Sequence, residues 1–192
     1  MSRFLPPIED KIFTYEHLLS SPNNELLIQD FTIKNPAGEN LAFFLKELAS
    51  HNEESNADRT YLVKDKFSGE LAGFFALRNG LFALNAGEGS IFTIPSIELS
   101  NFAVNDSYRK SHPDITKVGA TIFNNFVVPL AKYIQMFTGV QALYIYALPE
   151  DRLIEHYGSL GFVRLAEEDE QFVYDRVKPA YDEGCIFMYQ IL

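Results

Sequence analysis

Residues 97–126 read IELSNFAVNDSYRKSHPDITKVGATIFNNF, a run that changes period twice. Ile97, Leu99, Asn101 and Ala103 alternate with Glu98, Ser100, Phe102 and Val104, and a period of two marks a strand. Val118, Ile122 and Phe126 then begin a series at helical spacing that continues through Leu130, Ile134 and Phe137 to a natural stop at Gly139. Between strand and helix lies the loop RKSHPDITKVG, which gathers Arg109, Lys110, His112 and Lys117 in a chain of formal net charge -10. A helix N-terminus presents unpaired amides and a positive dipole end, so the N–H groups near Val118, Gly119 and Ala120 suit a phosphate or pyrophosphate. Arg109, Lys110 and Lys117 would add charge-assisted contacts to such a ligand. The plainer reading makes them solvated loop charges.

Working outward, residues 1–24 read as an irregular lead-in and 25–192 as one domain. ELLIQDFTI (25–33) is expected to be a strand, and Leu41, Phe44, Leu45 and Leu48 predict a helix from about Glu39 to Asn52. RTYLVKD and LAGFFALRNG, joined by the KFSGE turn, read as a hairpin. LFALNAGEGSIFTIP reads as a loop marked by Gly87 and Gly89. On the C-terminal side, Pro129 should disturb the long helix. ALYIYAL (142–148) is an apolar strand covered on both faces, and PEDRLIEHYGSL is a helix opened by proline and two acids. GFVRL, QFVYDRV and CIFMYQIL are expected strands, with a turn at AEEDE (166–170) and another from Lys178 to Gly184. Strands and helices in this order give an α+β fold with a mixed sheet.

A hydrophobic content of 47% over 192 residues supplies a sizeable core. The single cysteine, Cys185, excludes an internal disulfide, and no leader pattern opens the chain, so a cytoplasmic location is expected. Apolar runs are too short or interrupted to cross a bilayer, which predicts no membrane partner. The acidic balance, with a sequence pI near 4.8, argues against nucleic acid as a partner, because phosphate binding needs a basic face. A homodimer is compatible with this composition.

A second constellation is EHYGSLGF (155–162). Tyr157 stands near the end of a helix that follows a buried strand. A phenol there is a plausible proton donor to a departing thiolate, and equally a half-buried aromatic packed on a sheet. His112 and His156 lack a second ligand at metal spacing, so no metal is expected. Cys185 reads as a core residue.

IELSNFAVNDSYR, the glycine-containing helix start, LYIYAL and above all Y-G-S-L-G-F (157–162) together resemble the GCN5-related N-acetyltransferases, over roughly residues 25–192. The helix and hairpin, with T-Y-L-V and G-F-F-A-L strands, also resemble the layout of that family's toxin-like branch. The resemblance implies a mixed, mostly antiparallel sheet with a splayed parallel strand pair and covering helices. It further implies acetyl-CoA as co-substrate, a ternary complex and no metal. Backbone groups of Phe102, Ala103 and Val104 would pair with the pantetheine arm. Val118, Gly119 and Ala120 would hold the pyrophosphate, Tyr157 would protonate the thiolate, and Glu98 would take the proton of the attacking amine. The family's loop, Q/R-x-x-G-x-G/A, is matched only in part: Asp114, Lys117 and Gly119 fill its three defining slots. A lysine in the first glycine's place predicts a looser wrap around the pyrophosphate.

The expected activity is therefore transfer of an acetyl group to the amine of a small molecule or peptide. Two alternatives stand beside it. One is a synthase that takes a longer acyl chain from an acyl-carrier protein, as in acyl-homoserine-lactone or N-acyl amino acid synthases; the other is a non-catalytic module. Acetylation of aminoacyl-tRNA is set aside on the same charge argument that excludes nucleic acid.

Overall fold

A computed structural model describes residues 5–176 and 184–192. Its strands are β1 (Phe13–His17), β2 (Arg59–Asp65), β3 (Leu71–Gly87), β4 (Ser90–Val104), β5 (Ala142–Ala147), β6 (Val163–Arg164) and β7 (Ile186–Ile191), in one sheet of order β1-β2-β3-β4-β5-β7-β6. The β1–β2, β2–β3, β5–β7 and β6–β7 pairs are antiparallel. The β4–β5 pair is parallel. This is the α+β, mostly antiparallel arrangement expected, with one parallel pair. Contacts divide the chain into two units, Met1–Arg78 with Ser100–Leu130, and Asn79–Leu99 with Ala131–Leu192.

In the first unit, the helical segment expected over 39–52 is α2 (Glu39–Phe43), a π-turn (Phe44–Leu48) and α3 (Ala49–Glu54) in succession. Phe44, Leu45 and Ala49 from it pack with Leu62, Phe74, Ala76 and Ala103. Two expectations fail here. The lead-in contains β1, whose Phe13 is fully buried. The segment 25–33 is no strand: α1 (Asn24–Leu27) runs into a 3-10 turn (Ile28–Asp30). Asn24, Ile28 and Phe31 are the buried positions, at helical rather than alternating spacing. Asn24 is buried because its side-chain amide donates to the Leu18 carbonyl at 2.9 Å and its oxygen accepts from Lys64 Nζ at 2.7 Å.

Beyond β4 the chain forms α4 (Asp106–Ser111), then α5 (Val118–Ile122), a π-turn (Phe123–Val127) and α6 (Val128–Gln135). The disturbance expected at Pro129 falls just before it, as the wider π-turn. A proline offers no N–H and its ring crowds the carbonyl four residues back.

In the second unit, the expected loop between β3 and β4 is a tight hairpin. Gly87, Glu88 and Gly89 all take positive φ (81°, 49° and 78°), and both flanks stay in strands. Phe82 and Ile94 pack with Tyr144, Val173 and Phe187. After α7 (Asp151–Ser159) and the short β6, the AEEDE turn and QFVYDRV strand are instead one helix, α8 (Glu167–Tyr174). Four acids in its first turn meet the positive end of the helix dipole. Glu170 is nonetheless buried: it accepts from Arg164 Nη2 at 2.8 Å and from the Tyr174 hydroxyl at 2.9 Å. The turn expected from Lys178 to Gly184 lies almost wholly outside the described residues.

Candidate functional site

The residues singled out in the sequence fall in both units. In the first, Phe102, Ala103 and Val104 end β4. Ala103 is buried, and the Phe102 ring lies 6.5 Å from Phe123. Gly73 of β3 lets the neighbouring backbone come close: a Cβ there would stand 2.7 Å from the Ala103 carbonyl oxygen and 2.9 Å from Ile122 Cδ1. Asn105 fixes where the strand stops. Its side-chain amide donates to the Leu71 carbonyl at 2.8 Å, and its oxygen accepts from the Thr32 and Ser107 amides at 3.1 Å each. The second of these bonds caps α4.

Arg109 and Lys110, expected in a loop, lie in the last turn of α4. Basic groups are favoured there by the helix dipole, and Arg109 comes within 3.8 Å of Asp106. The helix is held down by Tyr108, which is buried and donates to Asp65 Oδ2 at 2.6 Å. Burial alone would raise the Asp65 carboxyl, but the hydroxyl of Tyr108 and the amides of Phe67 and Ser68 hold it below its ordinary 3.8. His112 stacks on Tyr108 with ring centroids 4.3 Å apart, and its Nε2 lies 3.2 Å from Glu70 Oε2. This histidine anchors the loop.

Lys117 has φ 57° and ψ 30°, the left-handed conformation that glycine takes most easily. The expected loss of the glycine-like turn is therefore not seen in the backbone, although the residue is a lysine. Val118 and Gly119 behind it are buried at the start of α5, and no side chain caps this end. Lys110 and Lys117 are exposed. An exposed cation beside an uncapped helix start fits the phosphates of a nucleotide.

In the second unit, Tyr157 sits on α7 with 5% of its surface exposed. Burial drives its phenol well above the ordinary value of 10.0. The spacing Y-G-S-L-G-F has a structural cause. Gly161 turns at φ 94°, the Phe162 amide returns to the Tyr157 carbonyl at 3.1 Å, and the two rings meet edge to face at 5.6 Å. That is a glycine-terminated helix end with its apolar clasp. His156 lies beside Tyr157, with ring centroids 5.9 Å apart.

Glu98 is on β4, 3% exposed, and accepts a hydrogen bond from the Tyr144 hydroxyl at 2.8 Å. The parallel register runs from Ser96 opposite Ala142 to Glu98 opposite Tyr144, while β4 continues to Val104 and β5 to Ala147. Glu98 is thus a buried strand residue and does not face solvent. Tyr144 was missed in the sequence because ALYIYAL offers only an apolar run, and its partner appears only with the strand register. Asn105 had a readable signal, an Asn-Asp pair opening a helix. Cys185 is buried. Among the described residues no cluster of three or more His, Cys, Asp or Glu could hold a metal ion, and no helix is long and apolar enough to cross a membrane.

No protein-family model and no curated relative matches the sequence. Solved structures do. The toxin KacT gives a TM-score of 0.66 at 17% identity, covering 94% of this chain and 95% of that one. A tyrosine-to-phenylalanine mutant of the toxin AtaT, bound to the C-terminus of the antitoxin AtaR and acetyl-CoA, gives 0.64 at 19%, covering 93% and 92%. AtaT complexed with acetyl-methionyl-tRNAfMet gives 0.63 at 19%, covering 82% and 91%. This last complex overturns the exclusion of nucleic acid, and with it the restriction of partners to small molecules and peptides. The error was to let net charge decide, since phosphate contact depends on where cations stand locally. Sheet order, the parallel pair and these neighbours agree that the chain has the fold of the GCN5-related N-acetyltransferases.

Proposed function

We propose that this chain is an acetyl-CoA-dependent N-acetyltransferase, acting in the cytoplasm on the amine of an aminoacyl-tRNA, with the seven-stranded sheet, β1 included, and its helices as the acyltransferase domain. The observation that carries the reading is the left-handed Lys117 at the start of α5. It supplies the turn a pyrophosphate needs before an uncapped helix N-terminus, with a cation at the same residue. A retained phosphate turn also favours a CoA donor over an acyl-carrier protein. The acceptor class rests on a neighbour complexed with acetyl-methionyl-tRNAfMet.

In this reading the pantetheine arm pairs with the backbone of Phe102, Ala103 and Val104 as an added strand. Arg109, Lys110 and Lys117 neutralise the phosphates around Val118, Gly119 and Ala120. The amine attacks the thioester carbonyl, and β4 amides stabilise the oxyanion. Glu98 takes the amine's proton and Tyr157 delivers one to the departing sulfur. Because burial keeps the Tyr157 phenol protonated, the donor is in its working form at neutral pH.

Calorimetry with acetyl-CoA and CoA, followed by thiol release in the presence of bulk aminoacyl-tRNA, tests this. Saturable binding and tRNA-dependent thiol release are expected. Absence of binding at millimolar ligand would leave the carrier-protein synthase and the non-catalytic module. Binding without tRNA-dependent release would remove the acceptor assignment.

A further inference from the structure

We propose that Tyr144, seated in the space left by Gly80, is a positioning residue for Glu98 in removal of the acceptor amine's proton. This rests on the acetyltransferase reading above and assigns the residues that aim its base.

Three strands build the arrangement. Glu98 of β4 and Tyr144 of β5 are direct register partners, and the hydroxyl donates to Oε2 at 2.8 Å. Gly80 of β3 supplies the room. A Cβ there would overlap the Tyr144 hydroxyl and stand 2.7 Å from Cε1 and 2.8 Å from Cζ. Real Cβ atoms do not approach that closely, so any other residue at position 80 moves the phenol. The ring is held on its other sides by Phe82, Phe187 and Tyr146, with centroids 6.0, 5.5 and 5.9 Å away.

A carboxylate at 3% exposure is costly to keep charged without donors. The Tyr144 phenol fixes one oxygen of that carboxylate in place. A base aimed this way contributes only if its geometry is held within a fraction of an ångström. The missing side chain at Gly80 is difficult to explain by strand stability, because glycine inside a strand weakens it. It is explained if the phenol must reach Glu98.

The test compares wild type with Tyr144→Phe, Gly80→Ala and the double variant, reading thiol release from acetyl-CoA with bulk aminoacyl-tRNA, CoA affinity by calorimetry, and Tm. Tyr144→Phe is expected to lower kcat by about tenfold, less than the roughly hundredfold or more that a positioned acid–base group itself contributes, with CoA affinity unchanged. Gly80→Ala, which displaces the phenol, is expected to lower kcat in the same way, again with CoA affinity unchanged. The double variant should lose no more than the larger single loss, as for residues acting as a unit. A Tyr144→Phe enzyme with wild-type kcat would overturn the proposal, as would fully additive losses. A wild-type protein that binds no acetyl-CoA would overturn the underlying reading instead, and this assignment with it.

Discussion

The Tyr108 hydroxyl donates to Asp65 at 2.6 Å, so the helix that carries Arg109 and Lys110 is tied to the end of β2. Hydrogen bonds to a charged partner contribute about 1.5–3 kcal/mol. Tyr108→Phe is expected to lower stability within that range and to weaken acetyl-CoA binding, because α4 and the loop after it lose their anchor. Denaturant titration and calorimetry on one preparation read both effects. Wild-type affinity in a destabilised variant would separate the anchor from ligand binding.

Lys117 combines a charge with an unfavourable backbone, and two substitutions separate them. Alanine keeps the strain and removes the charge, so Lys117→Ala should bind acetyl-CoA more weakly with turnover at saturation little changed. Glycine removes both. Relative to alanine, Lys117→Gly should recover about 1 kcal/mol of stability, the typical penalty of a left-handed residue that has a Cβ. Equal stability of the two variants would show that the conformation relaxes without cost.

Tyr157→Phe removes the hydroxyl proposed as proton donor and leaves the edge-to-face contact with Phe162 in place. A loss of about a hundredfold or more in kcat is expected, with CoA affinity unchanged. Because burial raises the wild-type phenol above 10.0, kcat should show no alkaline fall from this group below about pH 10. An unchanged kcat in the variant across neutral pH would remove Tyr157 from the acid role.

Alkaline stability offers a check independent of ligand. Burial and neighbouring charge push Tyr15 and Tyr174 up to about 12, and raise Tyr61, Tyr108 and Tyr157 as well. A phenol with a raised folded-state pKa holds its proton more tightly folded than unfolded. Its contribution is complete below the unfolded value near 10 and declines as pH rises beyond it. Tm should therefore stay level to about pH 10 and fall above it, with tyrosinate absorbance appearing as the protein unfolds. Ionisation of these five tyrosines near pH 10 without loss of Tm would contradict the burial of their rings.

The elements that carry the site were legible because period and punctuation agreed. Alternation identified β4, helical spacing identified the helix from Val118 onward, and Gly161 identified the end of α7. What failed was local pattern of short reach. ELLIQDFTI and QFVYDRV are short enough for two periods to fit, and only packing of Ile28, Phe31 and Val173 decided for helix. Turn residues also misled: Gly87 and Gly89 mark a hairpin as readily as a loop. The Glu98–Tyr144 bond joins residues 46 apart, and no sequence pattern carries that distance. The exclusion of nucleic acid rested on a whole-chain average, which says nothing of where Arg109, Lys110 and Lys117 stand.

The left-handed Lys117 has one more consequence. A phosphate turn is defined by backbone angles, and glycine is only the residue that reaches them most cheaply. Where a lysine holds the same angles, the turn survives while its signature in letters disappears. Descent by substitution can thus erase a motif without erasing the shape beneath it, and chains of this kind will be recognised by their conformation before they are recognised by their spelling.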